Sequence, residues 1–91
     1  MILRGCEIQL YIFDAYSLKD KRRVIKSLME RIRKRFNVSI AEIAEHELWN
    51  KTTIGFACVS NSNTQCEQVI ETIINFIDYD ERCEITKIER I

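Results

Sequence analysis

The residues best suited to chemistry in this 91-residue sequence lie between Lys19 and Arg35, where nine side chains are Lys or Arg and only Asp20 and Glu30 are acids. At 100° per residue, Lys19, Arg22, Arg23, Lys26, Arg33 and Lys34 fall on one arc of a helix, with Glu30 embedded among them. The opposite arc is apolar: Leu18, Val24, Ile25, Leu28, Met29, Ile32 and Phe36. A one-signed stripe of this kind captures polyanions by neutralising phosphates and releasing their counterions, with no need to read bases. A merely solvated helix face mixes signs so that i,i+4 neighbours pair. Here Lys19/Arg23 and Arg22/Lys26 are like-charged, at a cost of a few tenths of a kcal/mol each. Lys21 stands apart, on the apolar arc and in the first turn, where the helix dipole opposes a cation. It either snorkels past the sheet edge or meets an anion at the helix N-terminus near Ser17 and Leu18. The expected phosphate-binding set is therefore Lys19, Lys21, Arg22, Arg23, Lys26, Arg33 and Lys34.

Other reactive residues form no constellation. Glu45, His46 and Glu47 suggest acid–base work, but His46 is the only histidine, in a hairpin region without a neighbouring nucleophile or a glycine-rich oxyanion loop. It reads as a surface residue, and Trp49 as a packing anchor or interface residue rather than a cofactor platform. Cys6, Cys58, Cys66 and Cys83 contain no C-x-x-C pair, so no zinc spacing exists, and no catalytic residue, metal or cofactor is expected. Each cysteine sits in or beside an apolar run and reads as a reduced core residue of a reducing, cytoplasmic compartment.

Bulk composition narrows the class. The hydrophobic share of 46% and charged share of 31% are those of a folded chain, and its length suits one domain spanning 1–91. With no proline and only Gly5 and Gly55, nothing reads as a linker or a phosphate-cradling loop. Charge interrupts the N-terminal apolar residues at Arg4 and Glu7, which argues against a signal peptide or membrane partner. Net charge is zero, but residues 1–36 carry +6 and residues 37–91 carry −6.

The elements that position the stripe follow from periodicity. Cys6–Phe13 alternates as a half-buried strand, with Cys6, Ile8, Leu10 and Ile12 on one face and Tyr11 and Phe13 on the other. Ser17 with Asp20 begins a helix that ends near Asn37. Val38–Ile43 and Leu48–Ser60 read as a strand pair around Glu45-His46-Glu47. Asn63 or Thr64 caps a second helix that buries Cys66, Val69, Ile70, Ile73, Ile74 and Ile77. Cys83–Ile88 is a last strand. This order predicts an α+β, ferredoxin-like βαββαβ fold: a four-stranded antiparallel sheet with two helices on one face.

Such a fold leaves one sheet face bare. Tyr11, Phe13, Ile54 and Phe56 are expected to line it, and an apolar sheet surface marks an interface. It serves a homodimer, or it stacks RNA bases. Against the RNA-recognition-motif signature, Ile54–Asn61 matches four of seven defined positions and lacks the basic residue and two aromatics, so the chain is not read as such a motif.

The strings Ser17-Leu18-Lys19-Asp20-Lys21-Arg22-Arg23, Arg35-Phe36-Asn37-Val38-Ser39, Ala41-Glu42, Leu48-Trp49 and Gly55-Phe56-Ala57-Cys58-Val59-Ser60-Asn61 together resemble the bacterial YlxP-like family. The likeness spans essentially the whole chain, departing at Asp20 and at Asn50-Lys51. It implies a ferredoxin-like domain associated with translation and ribosome maturation, and so an RNA or ribosomal-subunit partner, but no catalytic residues. The function expected is that of a non-enzymatic RNA- or ribosome-associated binding protein. The alternative is a homodimeric protein–protein interaction module whose basic helix meets an acidic surface.

Overall fold

Alternating apolar residues make the first strand the spine of the sheet. The computed structural model describes all residues, Met1–Ile91. Its elements are β1 (Ile2–Ile12), α1 (Leu18–Arg35), β2 (Ser39–Ala44), β3 (Lys51–Ser60), α2 (Asn63–Asp78) and β4 (Cys83–Arg90). The strands form one sheet in the order β2-β3-β1-β4, and every pairing is antiparallel. Cys6, Ile8, Leu10 and Ile12 of β1 are buried against Ile25, Leu28 and Ile32 of α1 and Cys66, Ile70, Ile73 and Ile77 of α2. This is the ferredoxin-like α+β arrangement, both helices covering one sheet face.

The helices begin at hydroxyl caps. Ser17 Oγ accepts from the Asp20 amide at 3.1 Å, and the Asp20 carboxylate accepts in return from the Tyr16 amide at 3.1 Å. For α2 the cap is Ser62, ahead of the expected Asn63 or Thr64; its Oγ accepts from the Gln65 amide at 3.2 Å. At its other end α1 closes on Phe36, in extended backbone, rather than on Asn37.

Strand register corrects one expectation. Opposed residues of an antiparallel pair share a face, and Ile8 pairs with Ile54 and Cys6 with Phe56. Ile54 and Phe56 therefore point into the helix-covered core, at 0% and 4% exposure, and do not line the open face. Both parities of β3 are apolar, so alternation within the strand has no power to choose between them. Only pairing with β1, whose polar parity is unambiguous, settles it.

The open face is floored instead by small residues. Gly5 opposes Ala57, Leu3 opposes Val59 and Ala41 opposes Gly55. Ile43, at a β2 irregularity, lies over Gly55, where an added Cβ would meet Ile43 carbons at 3.1 and 3.3 Å. Leu3, Ile43 and Ile91 wall the resulting trough of about 470 Å³. Tyr11 lies at the other end of this face, opposite Lys51 and Glu84. Phe13, just past β1, meets the Tyr11 ring edge-on at 5.5 Å.

The register gives a direct stability test. Phe56→Ala should lower unfolding free energy by about 3–5 kcal/mol and Ile54→Val by about 0.5–1.5 kcal/mol. Val59→Ser, on the open face, should stay within about 0.5 kcal/mol of the parent. Urea denaturation measures all three, and equal costs for Phe56→Ala and Val59→Ser would contradict the register.

Candidate functional site

The amphipathic pattern of α1 turns its cations outward. Lys19, Arg22, Arg23, Lys26, Arg33 and Lys34 are all exposed, on a stripe about 22 Å long at the helical rise of 1.5 Å per residue. Lys19, Arg22, Arg23, Lys26 and Lys34 make no salt bridge and no side-chain hydrogen bond. Arg33 is partly engaged, its Nη2 donating to the Ile40 carbonyl of the edge strand β2 at 2.9 Å.

Lys21 does not belong to this surface. It is 0% exposed, and its ammonium donates to the backbone carbonyls of Glu45 at 2.7 Å and Leu48 at 2.5 Å. It also pairs with Glu42 Oε2 at 3.0 Å. Three donors thus meet three acceptors, and no capacity is left for a phosphate. The assignment of Lys21 to an RNA-binding set is overturned by this burial. A lysine on the apolar arc has a long enough stem to cross the core edge and bury its charge where a carboxylate and two carbonyls await it.

Glu42 completes the latch. Its Oε2 also accepts from Thr52 Oγ1 at 2.6 Å, so α1, β2 and β3 converge on one carboxylate. Burial pushes the Glu42 carboxyl upward, but hydrogen bonds from Thr52 and Lys21 and the Lys21 charge outweigh it and leave the group below its usual range. Its stabilising share is accordingly present above the ordinary carboxylate range and lost as pH falls through the lowered value. The Glu45 carbonyl additionally accepts from the Leu48 amide at 3.2 Å, closing a tight turn with Glu45 at φ 65°.

That turn carries features absent from the sequence-derived set. Trp49 follows it directly and lies 6.4 Å, centroid to centroid, from the ring of Tyr16, the residue before the α1 cap. No periodicity flags Tyr16, because it lies outside both neighbouring elements; its proximity to Trp49 follows from the Lys21 latch. Arg31 and Arg35 were likewise off the stripe. Both guanidiniums lie 5.0 Å from the Phe76 ring of α2, and Arg31 pairs with Asp80 at 3.8 Å. Asp80 is chiefly held by Arg82 at 2.7 Å, whose hydrogen bond and charge keep its carboxyl low despite burial.

The remaining reactive side chains are quiet. His46 Nε2 meets only the Glu42 carbonyl, at 3.2 Å. All four cysteines are free and buried. Burial, reinforced by Cys66, pushes the Cys58 thiol up to about 11, and burial pushes Cys83 to about 11 as well, far from nucleophilic thiolates. No helix is long and apolar enough to cross a membrane.

Fold and surface together define a ferredoxin-like α+β domain with one cationic helix face. The chain belongs to the family described as Protein of unknown function (DUF503), whose model matches residues 4–90. It is 43% identical over 72 residues to the uncharacterised protein YlxP of Bacillus subtilis (strain 168), across 79% of this chain and 78% of that relative, in agreement with the YlxP-like resemblance. Among solved structures it is similar to a de novo designed protein with a ferredoxin fold, at TM-score 0.54 and 12% identity over 100% of this chain and 84% of that one. The last likeness is one of fold alone.

The latch separates Lys21 from the other cations experimentally. Lys21→Met should cost about 3 kcal/mol at neutral pH, because it strands the Glu42 charge and the Leu48 carbonyl, whereas Lys26→Met should stay within about 0.5 kcal/mol. The deficit of Lys21→Met should shrink as pH falls through the ordinary carboxylate range and on through the lowered value of Glu42 in the parent, where the pair loses its charge. Chemical denaturation across a pH series reads both effects.

Proposed function

We propose that this protein is a non-enzymatic, cytoplasmic RNA-binding factor that engages RNA or a ribosomal subunit through the exposed face of α1. The observation that carries the reading is the set of five cations, Lys19, Arg22, Arg23, Lys26 and Lys34, left without an anionic partner in a chain holding as many acids as bases. Of the acids elsewhere, Glu67 and Glu71 of α2 hold Arg90, with Glu67 also near Arg4, and Asp80 holds Arg82 and Arg31; none pairs with these five cations. Like-charged neighbours that stay unpaired repel one another, and a phosphate backbone along the helix offsets that repulsion.

If five phosphates are neutralised, log affinity for single-stranded RNA should fall against log salt with a slope of about −3.5. Replacing Arg22, Arg23 and Lys26 together by Glu should weaken binding by well over tenfold. Fluorescence anisotropy with labelled RNA measures both, and a flat salt response overturns the proposal.

A second reading, of self-association, is favoured by the trough on the open sheet face, where exposed Leu3, Val59 and Ile91 rise beside Gly5 and Ala57. The partner in this reading is a second copy whose apolar ridge fills the small-residue floor. Sedimentation equilibrium at high micromolar concentration should then give a dimer that Ala57→Glu dissociates, and a monomeric parent protein contradicts it.

A further inference from the structure

We propose that Tyr16 and Trp49 form a stacking platform for an unpaired RNA base at the N-terminal end of the basic stripe. This rests on the RNA-binding reading and adds what kind of nucleic acid the site selects. The two rings come from different parts of the chain, lie 6.4 Å apart with planes inclined at 38°, and remain 76% and 44% exposed. Neither is consumed by the core. Aromatic surface kept in water on a short turn has a use when a flat partner covers it, and bases are such partners because each has a π-face.

Placement ties these rings to the cations. Lys21 holds the Leu48 carbonyl at 2.5 Å, and Trp49 is the next residue. The Tyr16 amide is held by Asp20 at 3.1 Å, so Tyr16 is fixed to the first turn of α1 that also bears Lys19. Both rings are thus anchored on opposite sides of that turn by contacts that do not involve the rings themselves. A strand whose base lies on the platform would run its phosphates along Lys19, Arg22, Arg23 and Lys26. On the open sheet face the central register positions hold Gly5, Gly55, Ala41 and Ala57, and the Tyr11–Phe13 pair at its far end sets its rings edge-on, at 72°, instead of presenting a shared face. Duplex RNA keeps its bases stacked internally, so the platform selects single strands, loops or ends.

Trp49 is the only tryptophan, so its emission reports on this site alone. The probes are an oligouridylate of roughly ten nucleotides, within the span of one single-strand groove, and an RNA duplex, each followed by Trp49 emission and by label anisotropy. The oligouridylate should quench Trp49 saturably, and the duplex should bind without quenching. Trp49→Ala should weaken single-strand binding about tenfold and leave the salt slope unchanged, while Trp49→Phe retains most of the affinity. The Arg22/Arg23/Lys26→Glu protein should lose both signals. Binding by anisotropy with silent Trp49 emission and an unaffected Trp49→Ala protein overturns the platform and leaves the RNA reading standing. Equal quenching by duplex overturns the selectivity for single strands. Absence of binding by every readout overturns both proposals, and Trp49 emission that shifts only with protein concentration assigns the turn to a protein contact instead.

Discussion

An ammonium group withdrawn from water is tolerable only when its charge is neutralised and each of its protons finds an acceptor. Lys21 meets both conditions with the Glu42 carboxylate and the carbonyls of Glu45 and Leu48, and no buried side-chain polar atom of the protein lacks a partner. The demand is mutual. Glu42 sits at the edge of β2 and needs a cation, and the 45–48 turn, with Glu45 in the left-handed region, needs an anchor for its inward carbonyls. One side chain therefore joins the start of α1, the edge strand and the turn before β3, and it decides where Trp49 stands relative to the helix.

The second constraint is that two helices cover only one face of a four-stranded sheet. Every strand residue is committed to one side or the other by its register, and β1 dictates the choice because its two parities differ most in polarity. Ile54 and Phe56 follow Ile8 and Cys6 inward. What remains outside is a floor of small residues, Gly5, Ala41, Gly55 and Ala57, walled by Leu3, Ile43 and Ile91.

Charges divide in the same way. Glu67, Glu71 and Asp80 pair with Arg4, Arg31, Arg82 and Arg90, while the acids that stay unpaired, such as Asp78, Glu81, Glu84 and Glu89, lie outside the first helix. Five cations of the exposed arc of α1 stay unpaired on one helix face. The net neutrality of the sequence thus conceals a cationic helix face on one side of the molecule, with two exposed aromatic rings at one end of it.

The sequence by itself determined the element order, the ferredoxin-like class and the outward direction of Lys19, Arg22, Arg23, Lys26 and Lys34. These depend on periodicities of two and 3.6 residues and on local caps, which are properties of neighbouring residues and need no knowledge of the rest of the chain. Family membership was legible for a similar reason, since its strings are contiguous. Tertiary structure alone decided the inward face of β3, because both parities are apolar and only pairing with a distant strand breaks the tie. It alone decided the fate of Lys21, whose position on the helical wheel was correct but whose partners lie 21 to 27 residues away across a turn. It alone brought Tyr16 to Trp49, since proximity between residues 33 apart follows from how the chain packs rather than from any local spacing.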